Sequence, residues 1–230
     1  MTSSNLDILA YEHTPLGPLC LRKRELLSMP GTVVTEVTLN HEFLMSSYYT
    51  VSERALSDLA LDLHEAPALK VLVGGLGLGY TAHAALASER VSELAVIEVL
   101  PEVVGWLRDG LLPLSETLNA EPRFTAEVGD FFERMAAPPE DRFDLILVDI
   151  DHAPDHYLDG ASAPFYTAEG LEAVKAHLAP GGVLSVWSSA DSEVFRRGLE
   201  AVFDEVRAEP IPFYNHLISA ETTDWIFLAR

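Results

Sequence analysis

The sequence predicts an α/β fold: an open, mostly parallel sheet with helices on both faces and an antiparallel last strand, preceded by a small N-terminal β region. Three observations carry this. From residue 69 onward, short apolar runs alternate with helix-like stretches, the pattern that builds parallel sheets. The first run opens into a glycine cluster, Val71-Leu-Val-Gly74-Gly75-Leu-Gly77-Leu-Gly79. The last two strand candidates, residues 207–213 and 224–228, are joined by a connection too short for a crossover helix, so the final strand runs antiparallel.

Residues 6–40 read as strand, with 19–24 and 33–39 separated by the turn-prone Met29-Pro30-Gly31. At Ser52 the texture changes: an N-cap serine, an early acid and apolar Leu56, Leu59, Ala60 and Leu63 at helical spacing predict a helix that ends before Pro67. This divides the chain into a small β region, 1–50, and a larger α/β domain, 51–230. Strands follow at 69–73, 94–98, 124–128, 143–149 and 183–187, with helices at 80–88, 101–111, 168–178 and 192–203. The hydroxyl-rich connector Met45-Ser-Ser-Tyr-Tyr-Thr50 is expected to link the appendage to the sheet or to form one wall of a site. Trp106 and Trp225 read as core, while Trp187 closes a strand at the rim.

The 230 residues carry 36 acidic and 15 basic side chains, a formal charge of −21. Such a surface repels nucleic-acid and membrane phosphates and steers cations inward. One cysteine, Cys20, makes no internal disulfide, which suits a reducing, cytoplasmic setting. Residues 1–14 include Asp7 and Glu12 and lack the basic start and apolar run of a signal peptide, and no stretch approaches the roughly 18 apolar residues of a membrane span.

A strand running through glycines into a helix lets backbone approach a nucleotide closely. The dinucleotide spacing Gly-x-Gly-x-x-Gly fails here, because its third position falls on Tyr80, and no Gly-Lys-Ser/Thr follows for a phosphate loop. Gly75, Gly77 and Gly79 instead match the Gly-x-Gly-x-Gly loop that holds adenosylmethionine-type nucleosides. Glu98, ending the second strand, is placed to accept the ribose hydroxyls. Asp130 is read equally as a hydrogen-bond partner of the adenine amine and as a helix N-cap. Asp149 ends the most apolar strand with Asp151 and His152 close behind, a group suited to general-base work on an amine. His156 and Tyr157 lie in the same loop and are candidates for the acceptor pocket. Asp151, His152, Asp155 and His156 fit no common zinc spacing, so no metal is expected.

The glycine loop, Glu98 nineteen positions after Gly79, Gly129-Asp130, Phe143-Asp-Leu-Ile-Leu-Val-Asp149 and Leu178-Ala-Pro-Gly181-Gly182-Val183 resemble the Rossmann-like class I adenosylmethionine-dependent methyltransferase fold and, within it, the spermidine synthase (polyamine aminopropyltransferase) family. A weaker echo lies in Leu16-Gly-Pro-Leu19 and Leu39-Asn40. The resemblance implies a seven-stranded sheet, frequent dimers, and an aminopropyl group passed from decarboxylated adenosylmethionine to a polyamine. Glu98 would take the ribose, Asp130 the adenine, Gly74, Gly75, Gly77 and Gly79 the nucleoside, and Asp149 the amine proton. The chain departs from the family where Gly77 replaces the Asp that holds the aminopropyl ammonium, where the second acid shifts to Asp151, and where the usual glutamine and tyrosine find no counterpart near residues 44–57. These departures keep two alternatives open: a methyltransferase using intact S-adenosylmethionine, and a non-catalytic nucleoside-binding homologue.

Overall fold

The structure is a computed structural model that describes residues 6–150, 153–154 and 160–230. Four antiparallel strands come first, β1 (Leu6–Thr14), β2 (Gly17–Glu25), β3 (Val33–Leu39) and β4 (Glu42–Ser46), paired in that order. The β3–β4 turn is made by Asn40 and His41, both at positive φ (51° and 67°), the left-handed pair that lets a two-residue hairpin follow the strand twist. β4 falls where a plain connector is expected; five residues are too few for an alternation to stand out from the hydroxyl-rich text. Leu19, Leu21 and Val37 turn inward, each at most 1% exposed. Glu36 is also buried, its carboxylate clasped by Arg22 and Arg24 from the neighbouring strand at 2.7–3.1 Å.

Helix α1 (Val51–Leu63) leads into a seven-stranded sheet of order β10-β11-β9-β8-β5-β6-β7. Its strands are β5 (Leu69–Gly74), β6 (Val91–Glu98), β7 (Phe124–Val128), β8 (Phe143–Val148), β9 (Leu178–Ser188), β10 (Val206–Asn215) and β11 (Ala220–Ala229). β5 to β9 pair in parallel, whereas β11 slots antiparallel between β9 and β10. The expected sheet and its reversed last strand are both present.

Strands covered on both faces must be apolar throughout, and alternation then divides their side chains between two cores. Val71, Val73, Leu145, Leu147 and Val183 face a cluster shared with α1, α2 (Tyr80–Leu86), α3 (Pro101–Arg108) and the N-terminal sheet. Leu72, Ile146, Val148, Leu184 and Val186 face the other, with α5 (Phe131–Ala136), α6 (Ala168–Ala176) and α7 (Glu193–Val202). Each such side chain contributes about 1.5–3 kcal/mol when fully buried. A further helix, α4 (Ser115–Ala120), and α5 were not expected; at six residues each, neither spans two turns, too little for a helical period to show. Among the described residues no helix is long and apolar enough to cross a membrane.

Connections leave β5 toward β6 on one side, while β8 lies on its other side. That divergence opens a crevice beyond the carboxyl ends of the strands, the place where open α/β sheets bind ligands.

Candidate active site

The glycine loop fills the crevice. Gly75 has φ +89°, and a Cβ there would lie 2.3 Å from the Asp149 carbonyl oxygen, so only glycine lets β5 and β8 come this close at their ends. The Asp149 N–H donates to the Gly74 carbonyl and the Gly75 N–H to that of Ile97, each at 2.9 Å, which ties three strand ends together. Gly79, at φ +91°, caps α2. Gly77, at φ +52°, faces Met45, whose sulfur would be 3.3 Å from an added Cβ.

Glu98 ends β6 and is 8% exposed. Its Oε2 accepts from the Leu76 N–H and its Oε1 from the Leu100 N–H, both at 2.9 Å. Burial pushes its pKa up, and these backbone donors hold part of the rise back. The carboxylate thus braces the glycine loop, with the Gly77 and Val99 amides adding to the same effect. Asp130 caps α5: its Oδ1 accepts from the N–H groups of Phe132 (2.8 Å) and Glu133 (3.1 Å). It also borders a shallow cavity of about 290 Å³ with Ile97, Val128 and Gly129. The cap accounts for one oxygen and leaves the other.

Asp149 stands just past β8. The Thr81 hydroxyl donates to its Oδ2 at 2.7 Å, and the Ser57 hydroxyl in turn donates to the Thr81 carbonyl at 2.8 Å. Burial raises the Asp149 pKa to about 6; Thr81 opposes the rise and the Asp224 charge adds to it. Asp149 lines a second cavity, of about 350 Å³, together with Met45, Tyr49, Glu53, Gly77, Tyr80, Trp187, Phe213 and Asp224. Asp151, His152, His156 and Tyr157 lie outside the described residues.

Two carboxylates that sequence reasoning did not single out share this cavity. Glu53, in the first turn of α1, is driven up to about 8 by burial and then by repulsion from Asp149, while the Ser52 hydroxyl, 3.3 Å away, eases it slightly. Asp224, on β11, is raised by burial, with Ser52 and the Trp187 indole holding part of that back. Glu53 looks like any acid favoured at a helix start. Asp224 did leave a trace, an acid abutting the apolar run Trp225-Ile-Phe-Leu. Among the described residues lining the cavity there is no Lys, Arg or His. The described residues form no group of three or more His, Cys, Asp or Glu arranged to hold a metal. Tyr49 closes one side, its ring 5.2 Å from Phe213 and its hydroxyl oxygen accepting from the His216 N–H at 2.5 Å, which pins the β10–β11 hairpin over the opening.

Native Glu53 keeps its proton up to about pH 8, whereas an unfolded chain releases it near 4.5, so the folded state binds more protons in that window and loses stability as pH rises through it. Glu53→Gln is expected to remove that loss. Melting curves taken from about pH 5 to about pH 9 should agree at the acid end and part at the alkaline end, with the variant higher. Parallel curves would mean that Glu53 is solvated.

The seven-stranded order, the reversed last strand and the glycine loop at the carboxyl ends make a Rossmann-like, class I methyltransferase-type fold. No protein-family model matches the chain. Solved structures with similar folds include a spermidine synthase in complex with the transition-state analogue AdoDATO, at TM-score 0.76 and 19% identity over 96% of this chain and 73% of that one. Spermidine synthase from Thermotoga maritima superposes at TM-score 0.73 with 18% identity, over 96% and 71%. Among curated proteins, polyamine aminopropyltransferase 2 of Streptomyces coelicolor is 28% identical over 159 residues, which cover 68% of this chain and 28% of that protein. The polyamine aminopropyltransferase of Aeropyrum pernix is 29% identical over 129 residues, 56% and 40%. The matched segments span less than half the length of either curated relative. In fold the chain is similar to spermidine synthases, and in sequence to polyamine aminopropyltransferases.

Proposed function

We propose that the protein transfers an aminopropyl group from decarboxylated adenosylmethionine to a small amine of the polyamine class. The observation that carries this is the lining of the larger cavity: Glu53, Asp149 and Asp224, with no basic side chain among its described residues. Intact adenosylmethionine would bring its own carboxylate into that field and be repelled. The decarboxylated donor has no carboxylate and two positive centres, and an amine acceptor adds more. The curated relatives named as polyamine aminopropyltransferases support the same reading.

The donor, when bound, supplies a sulfonium whose attached carbon is open to displacement. The chain's own residues do the rest. The glycine loop and Glu98 would seat the nucleoside, Asp130 its base, and Tyr49 with Phe213 would keep water from the reacting atoms. Asp149 takes one proton from the acceptor ammonium. The freed lone pair then forms the new N–C bond as the C–S bond breaks, its electrons returning to sulfur to leave neutral methylthioadenosine. A raised Asp149 pKa narrows the gap to that of the amine, which makes the proton transfer less uphill.

Calorimetric titration with decarboxylated adenosylmethionine, intact adenosylmethionine and methylthioadenosine tests this. The decarboxylated donor should bind about tenfold or more tighter than the intact one. Preference for the intact form would point to methyl transfer instead, and binding without turnover on any amine would point to a non-catalytic homologue.

A further inference from the structure

The chemistry above uses one of the three cavity carboxylates and leaves two buried acids without a task. We infer that Glu53 is the counter-ion for the ammonium at the end of the transferred aminopropyl chain. This rests on the function proposed above and adds to it the residue that recognises the donor's cationic tail.

The two spare acids stand on different elements, with the Ser52 hydroxyl reaching both. Asp224 sits on β11, two strands beyond β8 and three from β5, on the side away from the glycine loop. Glu53 starts α1, which packs on α2, the helix that the loop leads into. The Glu53 charge is felt at Tyr80, the first residue of α2, where that of Asp224 does not register. Of the two, Glu53 is therefore the acid on the element packed against the helix that the glycine loop leads into.

The loop has no acid of its own to offer. Its cavity-lining members are Leu76, Gly77 and Leu78, and the space above Gly77 is taken by the Met45 thioether, which carries no charge. An ammonium buried there without a counter-ion would be strongly disfavoured. Asp149 must stay beside the attacking nitrogen, so the remaining carboxylate next to the loop's helix is Glu53. Burial and the charges of Asp149 and Asp224 keep Glu53 largely protonated while the cavity lacks a cation. An arriving ammonium reverses that balance: the proton leaves to solvent, and a carboxylate–ammonium pair forms with charge-assisted hydrogen bonds.

Methylthioadenosine isolates the effect, because it has the same nucleoside and no ammonium. In Glu53→Gln, affinity for decarboxylated adenosylmethionine should fall by about tenfold or more while that for methylthioadenosine stays within about twofold. Titrations at neutral pH in buffers of different ionisation enthalpy supply a second readout. The wild type should release a proton on binding the decarboxylated donor but not on binding methylthioadenosine, and the variant should lose that release. Equal losses for both nucleosides, no loss for either, or proton release that survives in the variant would each overturn the assignment while leaving the proposed transferase standing. A wild type that binds neither nucleoside would overturn the transferase reading, and this assignment with it.

Discussion

Asp149→Asn is expected to lower turnover on an amine acceptor by about 10²–10⁴-fold, the usual weight of a positioned general base, with donor binding changed only a few-fold. Asn keeps the shape and can still accept from the Thr81 hydroxyl, so the glycine loop and β8 end should hold their places. What it cannot do is take a proton. The wild-type rate should fall on the acid side as the carboxylate is protonated; because Asp149 and Glu53 lie within each other's field, that limb belongs to the pair and starts near the Asp149 value of about 6. In the variant the limb should disappear. Unchanged turnover would remove Asp149 from the chemistry, and a collapse of donor affinity would mean that it binds rather than accepts a proton.

The second large effect is structural. Gly75→Ala forces a Cβ to within 2.3 Å of the Asp149 carbonyl oxygen at a φ of +89°. Neither atom belongs to a flexible side chain, so the ends of β5 and β8 must separate. A loss of about 2–4 kcal/mol in denaturant unfolding is expected, together with loss of nucleoside binding. Gly110→Ala provides the control: its φ is +80°, yet a Cβ there meets nothing within 4 Å, so it should cost only the backbone term of about 1 kcal/mol and leave binding intact. Equal losses in the two variants would show that the close approach at Gly75 carries no special weight.

Both predictions sit on residues that the sequence marks out, and the reasons differ. Gly75 is visible because close backbone approach admits one residue type, and the glycine spacing records it. Asp149 is visible because it ends an apolar run with two more titratable residues, Asp151 and His152, close behind it in the sequence. Asp130 was read two ways, and its hydrogen bonds to Phe132 and Glu133 establish the N-cap without using its second oxygen. Glu98 was read as a ribose acceptor, and the structure adds its hold on the Leu76 and Leu100 amides. The short elements β4, α4 and α5 escaped notice because periodicity needs more residues than they have.

What the sequence determined by itself is the order and type of the long elements, the two-faced burial of the central strands, the reversed last strand and the glycine loop. Each is written in local spacing, where period, turn chemistry and connection length act over a few residues. Only the tertiary structure could bring Glu53 from the first turn of α1 and Asp224 from the last strand into one cavity with Asp149. The environment of a charge is set by what surrounds it through space, by burial and by field, and no stretch of neighbouring residues encodes that.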